Sequence, residues 1–283
     1  MIETIGIIGA GTMGNGIAQV CAAAGLKVTM ADISDGAIAR GMSVIAGSLE
    51  RLVNKQKMSD ADRQAALARI TPVTDNGKLS GCDLVIEAAT EREDLKINIL
   101  KDICATLQPR ALVATNTSSI SITRLAAATD RPDRFIGMHF FNPVPLMALL
   151  ELIRGLQTSD DTHAKAEAFA KRIGKVSITA KNSPGFAVNR ILCPMINEAI
   201  FALAEGIATA EDLDAGMKLG CNHPIGPLAL ADMIGLDTML SVMEVFYEGF
   251  NDPKYRPAPL LKEMVAAGHL GRKTGQGFYS YGK

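Results

Sequence analysis

Residues 4–32 read TIGIIGAGTMGNGIAQVCAAAGLKVTMAD, and this stretch decides the fold of the first half of the chain. Apolar runs at residues 4–8 and 27–31 have the length and the composition of buried strands. Between them, residues 16–24 have the apolar spacing of a helix, and a glycine-rich turn at residues 9–14 precedes that helix. A strand, a glycine turn, a helix and a second strand form the first repeat of a parallel sheet with helical crossovers.

The glycine-rich turn has the spacing G-x-G-x-x-G and consists of Gly9, Ala10, Gly11, Thr12, Met13 and Gly14. In such a turn the first glycine permits the sharp bend, and the second lets a pyrophosphate approach the backbone. The third lets the helix pack closely on the strand. Because the N-terminus of the helix also offers free N–H groups to phosphates, the turn predicts a dinucleotide-binding site.

Asp32 follows the second strand and indicates which dinucleotide binds. A carboxylate at this place accepts hydrogen bonds from the ribose hydroxyls of NAD and repels the 2′-phosphate of NADP. The alternative is an aspartate that only stabilises its own turn. We predict NAD as the cofactor, with Arg40 in the following helix as the nearby cation that would soften this preference.

Four more apolar runs continue the alternation, at residues 83–88, 111–115, 134–138 and 149–153. Their content of Val, Ile, Leu and Met is typical of strands that are buried on both faces of a sheet. Helix-like segments such as residues 95–107 separate them. The alternation predicts a doubly wound, mostly parallel α/β sheet of the Rossmann type.

The interval from residue 36 to residue 70 is longer than an ordinary crossover. Its pattern is helical twice, with a polar break at residues 57–60 where Ser59 can cap the second helix. We interpret this interval as a helix pair that projects from the sheet rather than as part of its cover.

The projecting helix pair carries a basic face. Ser48 and Lys55 lie two helical turns apart on one side, and further positive charge comes from Arg51, Lys57 and Arg63. One interpretation is a basic face that is simply solvated. The other is a binding strip for the phosphates of a large anionic substrate.

The pattern becomes wholly helical after the break at residues 181–185. Helical spacing covers residues 186–205, 210–219, 228–246 and 259–267, and Thr209 is suited to cap the second of these segments. We therefore predict an NAD-binding domain at residues 1–183, with the helix pair inside it, and a smaller all-helical domain at residues 184–283 for substrate binding and dimerisation.

The composition excludes several classes of protein. The 283 residues are 48% hydrophobic and 21% charged, and the net charge of -1 offers no basic field to nucleic acid or anionic lipid. Five cysteines without a C-x-x-C pair argue against a disulfide framework or a metal site. Since no apolar run approaches the ~18 residues of a membrane span and no leader pattern opens the chain, we expect a cytoplasmic protein.

Polar side chains follow the predicted strands at the edge where ligands of open α/β sheets bind. They are Glu91 and Lys96, Asn116 and Ser118, and His139 and Asn142. His139 ends a buried strand, whereas the other three histidines fall in loops or on helices. Since imidazole titrates near neutral pH, His139 is the candidate general base for removing an alcohol proton.

Two further residues stand in places that do not suit their type. Glu151 lies in the apolar run 149–153, where burial without a partner is costly. Either it faces water on an edge strand, or it pairs with His139 and orients the ring. Asn189 lies early in the first helix of the second domain, where asparagine is a poor interior residue, so we interpret it as a hydrogen-bonding group for the domain cleft.

Four motifs carry a resemblance to a known family: NTSS at 116–119, HFFNPVP at 139–145, PGFAVNR at 184–190 and KTGQGFY at 273–279. Together they resemble the L-3-hydroxyacyl-CoA dehydrogenase family, and within it the bacterial enzymes that act on 3-hydroxybutyryl-CoA. The resemblance covers essentially the whole chain in order.

The resemblance implies NAD-dependent, reversible oxidation of (S)-3-hydroxybutyryl-CoA to acetoacetyl-CoA by a homodimer. It implies a catalytic pair of His139 and Glu151, with Ser118 and Asn189 holding the oxygen atoms of the substrate. The implied cofactor contacts are Asp32, Glu91, Lys96, Ser118, Asn142 and Lys273. The implied contacts to the acyl-CoA are Ser48 and Lys55, although the basic residues fit the family pattern loosely and Lys57 is an alternative to Lys55.

Two other functions are compatible with the fold. A β-hydroxyacid dehydrogenase acting on a free acid resembles this domain order, but it uses a lysine-based mechanism and lacks the spacing of His139 and Glu151. A non-catalytic NAD-binding protein has no need to keep His139, Glu151 and Asn189 together.

Overall fold

The computed structural model describes residues 2–282, which divide into two compact units at Ser183 and Pro184. The N-terminal unit is an α/β sheet with helices, and the C-terminal unit is helical. Within residues 2–282, every helix is too short or too polar to cross a membrane.

The N-terminal unit contains one eight-stranded sheet in the order β3-β2-β1-β4-β5-β6-β7-β8. The described strands are β1 (Thr4–Ile8), β2 (Lys27–Ala31), β3 (Ile70–Val73), β4 (Leu84–Glu87), β5 (Leu112–Thr115), β6 (Phe135–Phe140), β7 (Leu149–Arg154) and β8 (Val176–Lys181). Neighbouring strands are parallel except for the antiparallel pair β6 and β7. This arrangement confirms the predicted mostly parallel sheet of the Rossmann type.

The sequence pattern missed both outer strands and the end of a central one. β3 contains Pro72, and β8 exposes Val176 and Ile178, so neither has the fully apolar pattern of a buried strand. β6 continues to Phe140, and His139 therefore lies inside the strand rather than after it.

The helices of the N-terminal unit are α1 (Thr12–Ala23), α2 (Asp35–Asn54), α3 (Asp60–Ala68), α4 (Glu93–Cys104), α5 (Ile122–Ala127) and α6 (Asp160–Arg172). The predicted helix pair is present as α2 and α3, and the Ser59 hydroxyl caps α3 by accepting a hydrogen bond from the Asp62 N–H at 3.0 Å. Both helices pack on α1, with Ile45, Leu49 and Ala66 fully buried. The pair is therefore anchored in the core by its inner face, and only its outer face projects.

The helices of the C-terminal unit are α7 (Asn189–Ala204), α8 (Ala210–Gly220), α9 (Pro227–Ile234), α10 (Leu236–Phe250) and α11 (Pro259–Ala266). Their apolar faces enclose a core that includes Ile200, Met243 and Phe246. Thr209 caps α8 as predicted. The single helix predicted at residues 228–246 is wrong, because Gly235 with a φ of 103° separates α9 from α10.

Two buried carboxylates hold the C-terminal segment in this unit. Asp232 accepts hydrogen bonds from the backbone N–H groups of Phe278 and Tyr279, each at 3.0 Å. Asp214 accepts from the Tyr279 hydroxyl at 2.9 Å, and burial together with this contact raises the pKa of Tyr279. The segment that carries Lys273 is thereby fixed to α8 and α9.

Candidate active site

The glycine-rich turn between β1 and α1 has the geometry that its spacing predicts. Gly9 has a φ of 102°, which an L side chain rarely adopts. A Cβ atom on Gly14 would lie 1.8 Å from the Gly9 carbonyl oxygen, so the helix approaches the strand at a distance that only glycine permits. A Cβ on Gly11 would meet no atom of the described residues within 4 Å, and this side of the turn is open to a ligand.

The first turn of α1 and Asp32 provide complementary groups for a dinucleotide. Gly11 is the N-cap of α1 and offers no capping side chain, so the N–H groups of that turn are available to phosphate oxygens. The Asp32 carboxylate accepts from the Ala10 N–H at 2.7 Å and from the Ile33 N–H at 2.8 Å. These two bonds fix the carboxylate and leave lone pairs for ribose hydroxyls.

Asp32 and the turn line one groove of about 310 Å³, which we call the dinucleotide groove. Its other lining residues include Arg40 and Val44 of α2, and Ala89 after β4. The residues present therefore fit NAD, since the open glycine, the uncapped helix and the fixed carboxylate occur in one groove.

His139 and Glu151 lie opposite each other on the antiparallel strands β6 and β7. The His139 Nδ1 atom is 2.7 Å from the Glu151 Oε2 atom, and the two residues are 5% and 0% exposed. Because a carboxylate accepts hydrogen bonds, Nδ1 carries the proton and Nε2 is left as the basic nitrogen. Since β7 lies between β6 and β8, the alternative of Glu151 facing water on an edge strand is wrong.

The loop after β5 brings Ser118 to the other side of the His139 ring. The Ser118 hydroxyl oxygen is 3.1 Å from the His139 Nε2 atom. One oxygen of Glu91 accepts hydrogen bonds from the Thr117 hydroxyl at 2.7 Å and from the Ser118 N–H at 2.9 Å. Glu91 therefore holds this loop in place.

Asn116 connects the same loop to β6 by a hydrogen bond. Its Oδ1 atom accepts a hydrogen bond from the Phe140 N–H at 2.9 Å, directly beside His139. The structure thus brings together five of the sequence-predicted residues: Glu91, Asn116, Ser118, His139 and Glu151.

Lys96 does not occupy the place that the sequence analysis expected. Its side chain is fully buried, and its Nζ atom donates to the Glu87 Oε2 atom at 2.6 Å. A direct cofactor contact from Lys96 is not supported by this burial. The sequence analysis missed Glu87, although a carboxylate inside an apolar strand is the signal that identified Glu151.

A second groove of about 310 Å³ lies between the helix pair and the loop after β6, and we call it the arm groove. Ser48, Arg51 and Lys55 of the helix pair line it, together with Asn142. Of the two candidate lysines in the described chain, Lys55 lines this groove and Lys57 does not. Thr12, Asn15 and Val44 line both grooves, so the arm groove adjoins the dinucleotide groove.

The remaining two predicted site residues belong to the C-terminal unit. Asn189 is the first residue of α7 and is half-buried, so the penalty for asparagine inside a helix does not apply to it. The Lys273 Nζ atom donates to the Asp237 carboxylate at 2.5 and 2.6 Å.

Metal ligands and disulfides do not contribute to the described site. Within residues 2–282, no three His, Cys, Asp or Glu side chains are grouped so as to hold a metal ion. All five cysteines are free thiols.

Comparison with known proteins agrees with this geometry. The model of the 3-hydroxyacyl-CoA dehydrogenase NAD-binding domain matches residues 4–183, and the model of the C-terminal domain of 3-hydroxyacyl-CoA dehydrogenases matches residues 185–281. The chain belongs to the 3-hydroxyacyl-CoA dehydrogenase family. The resemblance inferred from the four motifs is confirmed, and so is NAD as the cofactor.

Similar members of the 3-hydroxyacyl-CoA dehydrogenase family match over the full length of the chain. A 3-hydroxybutyryl-CoA dehydrogenase from Bradyrhizobium diazoefficiens is 54% identical over 281 residues, which cover 99% of this chain and 96% of the relative. A probable 3-hydroxybutyryl-CoA dehydrogenase from Deinococcus radiodurans is 51% identical over 98% of this chain and 99% of the relative. The crystal structure of an (S)-3-hydroxybutyryl-CoA dehydrogenase from Ralstonia eutropha superposes with a TM-score of 0.99 at 66% identity, and each chain is fully covered.

Proposed function

We propose that this protein catalyses the NAD-dependent, reversible oxidation of (S)-3-hydroxybutyryl-CoA to acetoacetyl-CoA. The observation that carries the proposal is the ring of His139, held between Glu151 and Ser118 on strands of the same sheet that bears the glycine turn. The names of the similar proteins support the choice of the C4 acyl chain.

His139 acts as the general base in this proposal. Its Nε2 atom takes the proton of the 3-hydroxyl group, and the carboxylate of Glu151 stabilises the imidazolium that forms. Bound NAD⁺ supplies the acceptor for the hydride that leaves C3. In the reverse direction, the protonated ring returns the proton to the 3-keto oxygen.

The other predicted residues bind and orient the substrate and the cofactor. We propose that Ser118 and Asn189 hold the oxygen atoms of the substrate, while Ser48 and Lys55 bind the phosphates of the CoA moiety. The proposed cofactor contacts are the glycine turn, Asp32, Glu91, Asn116, Ser118, Asn142 and Lys273, with Lys96 acting through Glu91. Exclusion of water around the substrate would complete the site.

We propose further that the enzyme is a cytoplasmic homodimer joined through the helical unit. Ile207 and Leu219 of that unit are 68% and 87% exposed, as expected of residues that a partner subunit covers. The five free thiols agree with a reducing compartment. Sedimentation of the purified protein tests the dimer, and a monomer at micromolar concentration would contradict it.

The decisive assay compares a CoA ester with the free acid. Oxidation of NADH by acetoacetyl-CoA, with free acetoacetate inactive, is the expected result. Faster turnover of the free acid would favour a β-hydroxyacid dehydrogenase. An absence of NADH oxidation with acyl-CoA substrates of every length tested would favour a non-catalytic NAD-binding protein.

Replacement of Lys55 by alanine is expected to raise the KM for acetoacetyl-CoA about five-fold at low salt, with a smaller effect on kcat. Loss of one charge pair near the surface, worth about 1 kcal/mol, gives this factor. The effect should shrink as salt rises. Lys57→Ala is the matched control, because Lys57 is also exposed but does not line the arm groove. An effect of Lys57→Ala alone would transfer the role to Lys57.

Asp32 is expected to make NADH preferred over NADPH by roughly five-fold to several-hundred-fold. Two charges ~4 Å apart repel by ~1 kcal/mol in water and by ~4 kcal/mol at an effective dielectric of 20. Asp32→Ala should reduce the preference for NADH over NADPH in kcat/KM, mainly by raising the KM for NADH. Asp35→Ala, at the first residue of α2, is the control. Equal kcat/KM values for NADH and NADPH in the unmodified enzyme would refute this role.

A further inference from the structure

Beneath the active-site loop lies a fully buried ion pair, Glu87 at the end of β4 and Lys96 on α4. Both side chains are 0% exposed, and the Lys96 Nζ and Glu87 Oε2 atoms are 2.6 Å apart. Removing two charges from water costs free energy that their mutual attraction need not repay. Stability alone therefore does not explain this buried pair. Its position below the cofactor edge of the sheet suggests a role in the site.

The Glu87 carboxylate is held by three donors. Its Oε2 atom accepts from Lys96 and from the Thr115 hydroxyl, the latter at 2.7 Å, and its Oε1 atom accepts from the Ala89 N–H at 2.9 Å. Ala89 lines the dinucleotide groove, and Thr115 is the last residue of β5, before the loop of Ser118. Glu87 thus joins the ends of two strands that border the site.

Lys96 extends this network toward the surface. Its Nζ atom lies 3.9 Å from the Oε2 atom of Glu91, whose side chain is 47% exposed. The other oxygen of Glu91 accepts the hydrogen bonds of Thr117 and Ser118. The Lys96 cation therefore faces the free end of the carboxylate that holds the loop of Ser118.

We propose that Glu87 is a positioning residue of the reaction. Its ion pair with Lys96 fixes the position of the cation, and this cation stabilises the Glu91 carboxylate. Glu91 in turn holds the loop that places the Ser118 hydroxyl next to His139. The inference rests on the proposed function, because it assigns the effect to the reaction at His139. A shift of the loop by about 1 Å is enough to lower kcat by up to ~100-fold.

The test separates this role from a structural one by removing both charges together. Glu87→Gln alone strands the buried Lys96 cation and is expected to lower the Tm by about 10 °C. The double variant E87Q/K96M leaves no unpaired buried charge, and its Tm should return to near the wild-type value. Its kcat for acetoacetyl-CoA should still be about ten-fold below wild type. A wild-type kcat at a recovered Tm would overturn the proposal.

A second readout asks whether the effect passes through Ser118. If it does, E87Q/K96M should change kcat little in a Ser118→Ala background, because residues that act through one group are not additive. A full ten-fold loss in that background contradicts the proposal. Inactivity of the wild-type enzyme with acetoacetyl-CoA would instead refute the proposed function, which keeps the two failures distinguishable.

A milder variant covers the case in which E87Q/K96M does not fold. Thr115→Val preserves shape and removes only the hydroxyl that donates to Glu87. The variant loses the bond from this hydroxyl to Glu87 and the longer bond that the hydroxyl accepts from Lys96 at 3.4 Å, and it is expected to lower kcat about three-fold at an almost unchanged Tm. An unchanged kcat counts against the proposal.

Discussion

Replacement of His139 by alanine is expected to lower kcat about 10²–10⁴-fold, which is the usual cost of losing a general acid–base group. The Nε2 atom of His139 is the basic nitrogen that faces the Ser118 hydroxyl at 3.1 Å. The affinity for NADH should change little, because His139 does not line the described dinucleotide groove. Steady-state kinetics with acetoacetyl-CoA give kcat, and fluorescence titration gives the Kd for NADH.

His163 provides a matched control for this variant. It also faces a glutamate, with its Nδ1 atom 3.6 Å from the Glu167 Oε2 atom. It lies on α6, whose neighbouring Thr162 hydroxyl donates to the Asp133 carbonyl before the start of β6, at the opposite end of that strand from His139. His163→Ala should leave kcat within about two-fold of wild type. Retention of more than a tenth of the wild-type kcat by His139→Ala would remove His139 from the mechanism.

The parts of the fold that the sequence predicted are those where burial imposes a pattern. β1 and β2 lie inside the sheet, most of their residues are buried, and their bounds match the apolar runs. β3 and β8 lie at the two edges of the sheet, where most of their residues are exposed or half-buried and a proline is tolerated. Edge strands are specified by pairing with their neighbour, which a single sequence does not display.

In the active site, too, some features were predictable from the sequence and others were not. The glycine turn and Asp32 could be read from spacing alone, because the strand, turn and helix are contiguous in sequence. The contact between His139 and Glu151 depends on the register of an antiparallel pair, which only the structure supplies. Lys55 and Lys57 could not be separated by helical spacing, since the groove that selects Lys55 is completed by Asn142.

Glu87 carries the same sequence signal as Glu151 but was not predicted as a site residue. Each is a carboxylate within an apolar run, at residues 83–88 for Glu87 and 149–153 for Glu151, where burial without a partner is costly. Lys96 was expected to contact the cofactor instead, because it follows a strand end and because the family resemblance implies that contact. The buried pair of Glu87 and Lys96 explains both the missed residue and the misplaced one.

Replacement of Glu151 by glutamine tests the partner of His139. The change keeps the size of the side chain and removes its charge, so the imidazolium that forms during turnover loses its counterion at 2.7 Å. A glutamine amide can also donate to Nδ1, which moves the ring proton to Nε2 and blocks that nitrogen as a base. An equivalent change in a hydrolase triad costs about 10⁴-fold in kcat through the wrong tautomer.

For Glu151→Gln we therefore expect kcat to fall about 10²–10⁴-fold, with little change in the KM of either ligand, because the loss falls on the transition state. Glu167→Gln, which alters the other histidine–glutamate pair, should leave kcat nearly unchanged. Thermal unfolding of both variants separates catalysis from stability. Since Glu151 is fully buried, some loss of Tm is expected in any case. A lower Tm with a wild-type kcat would reduce Glu151 to a structural partner of His139 and leave the imidazolium without the proposed stabilisation.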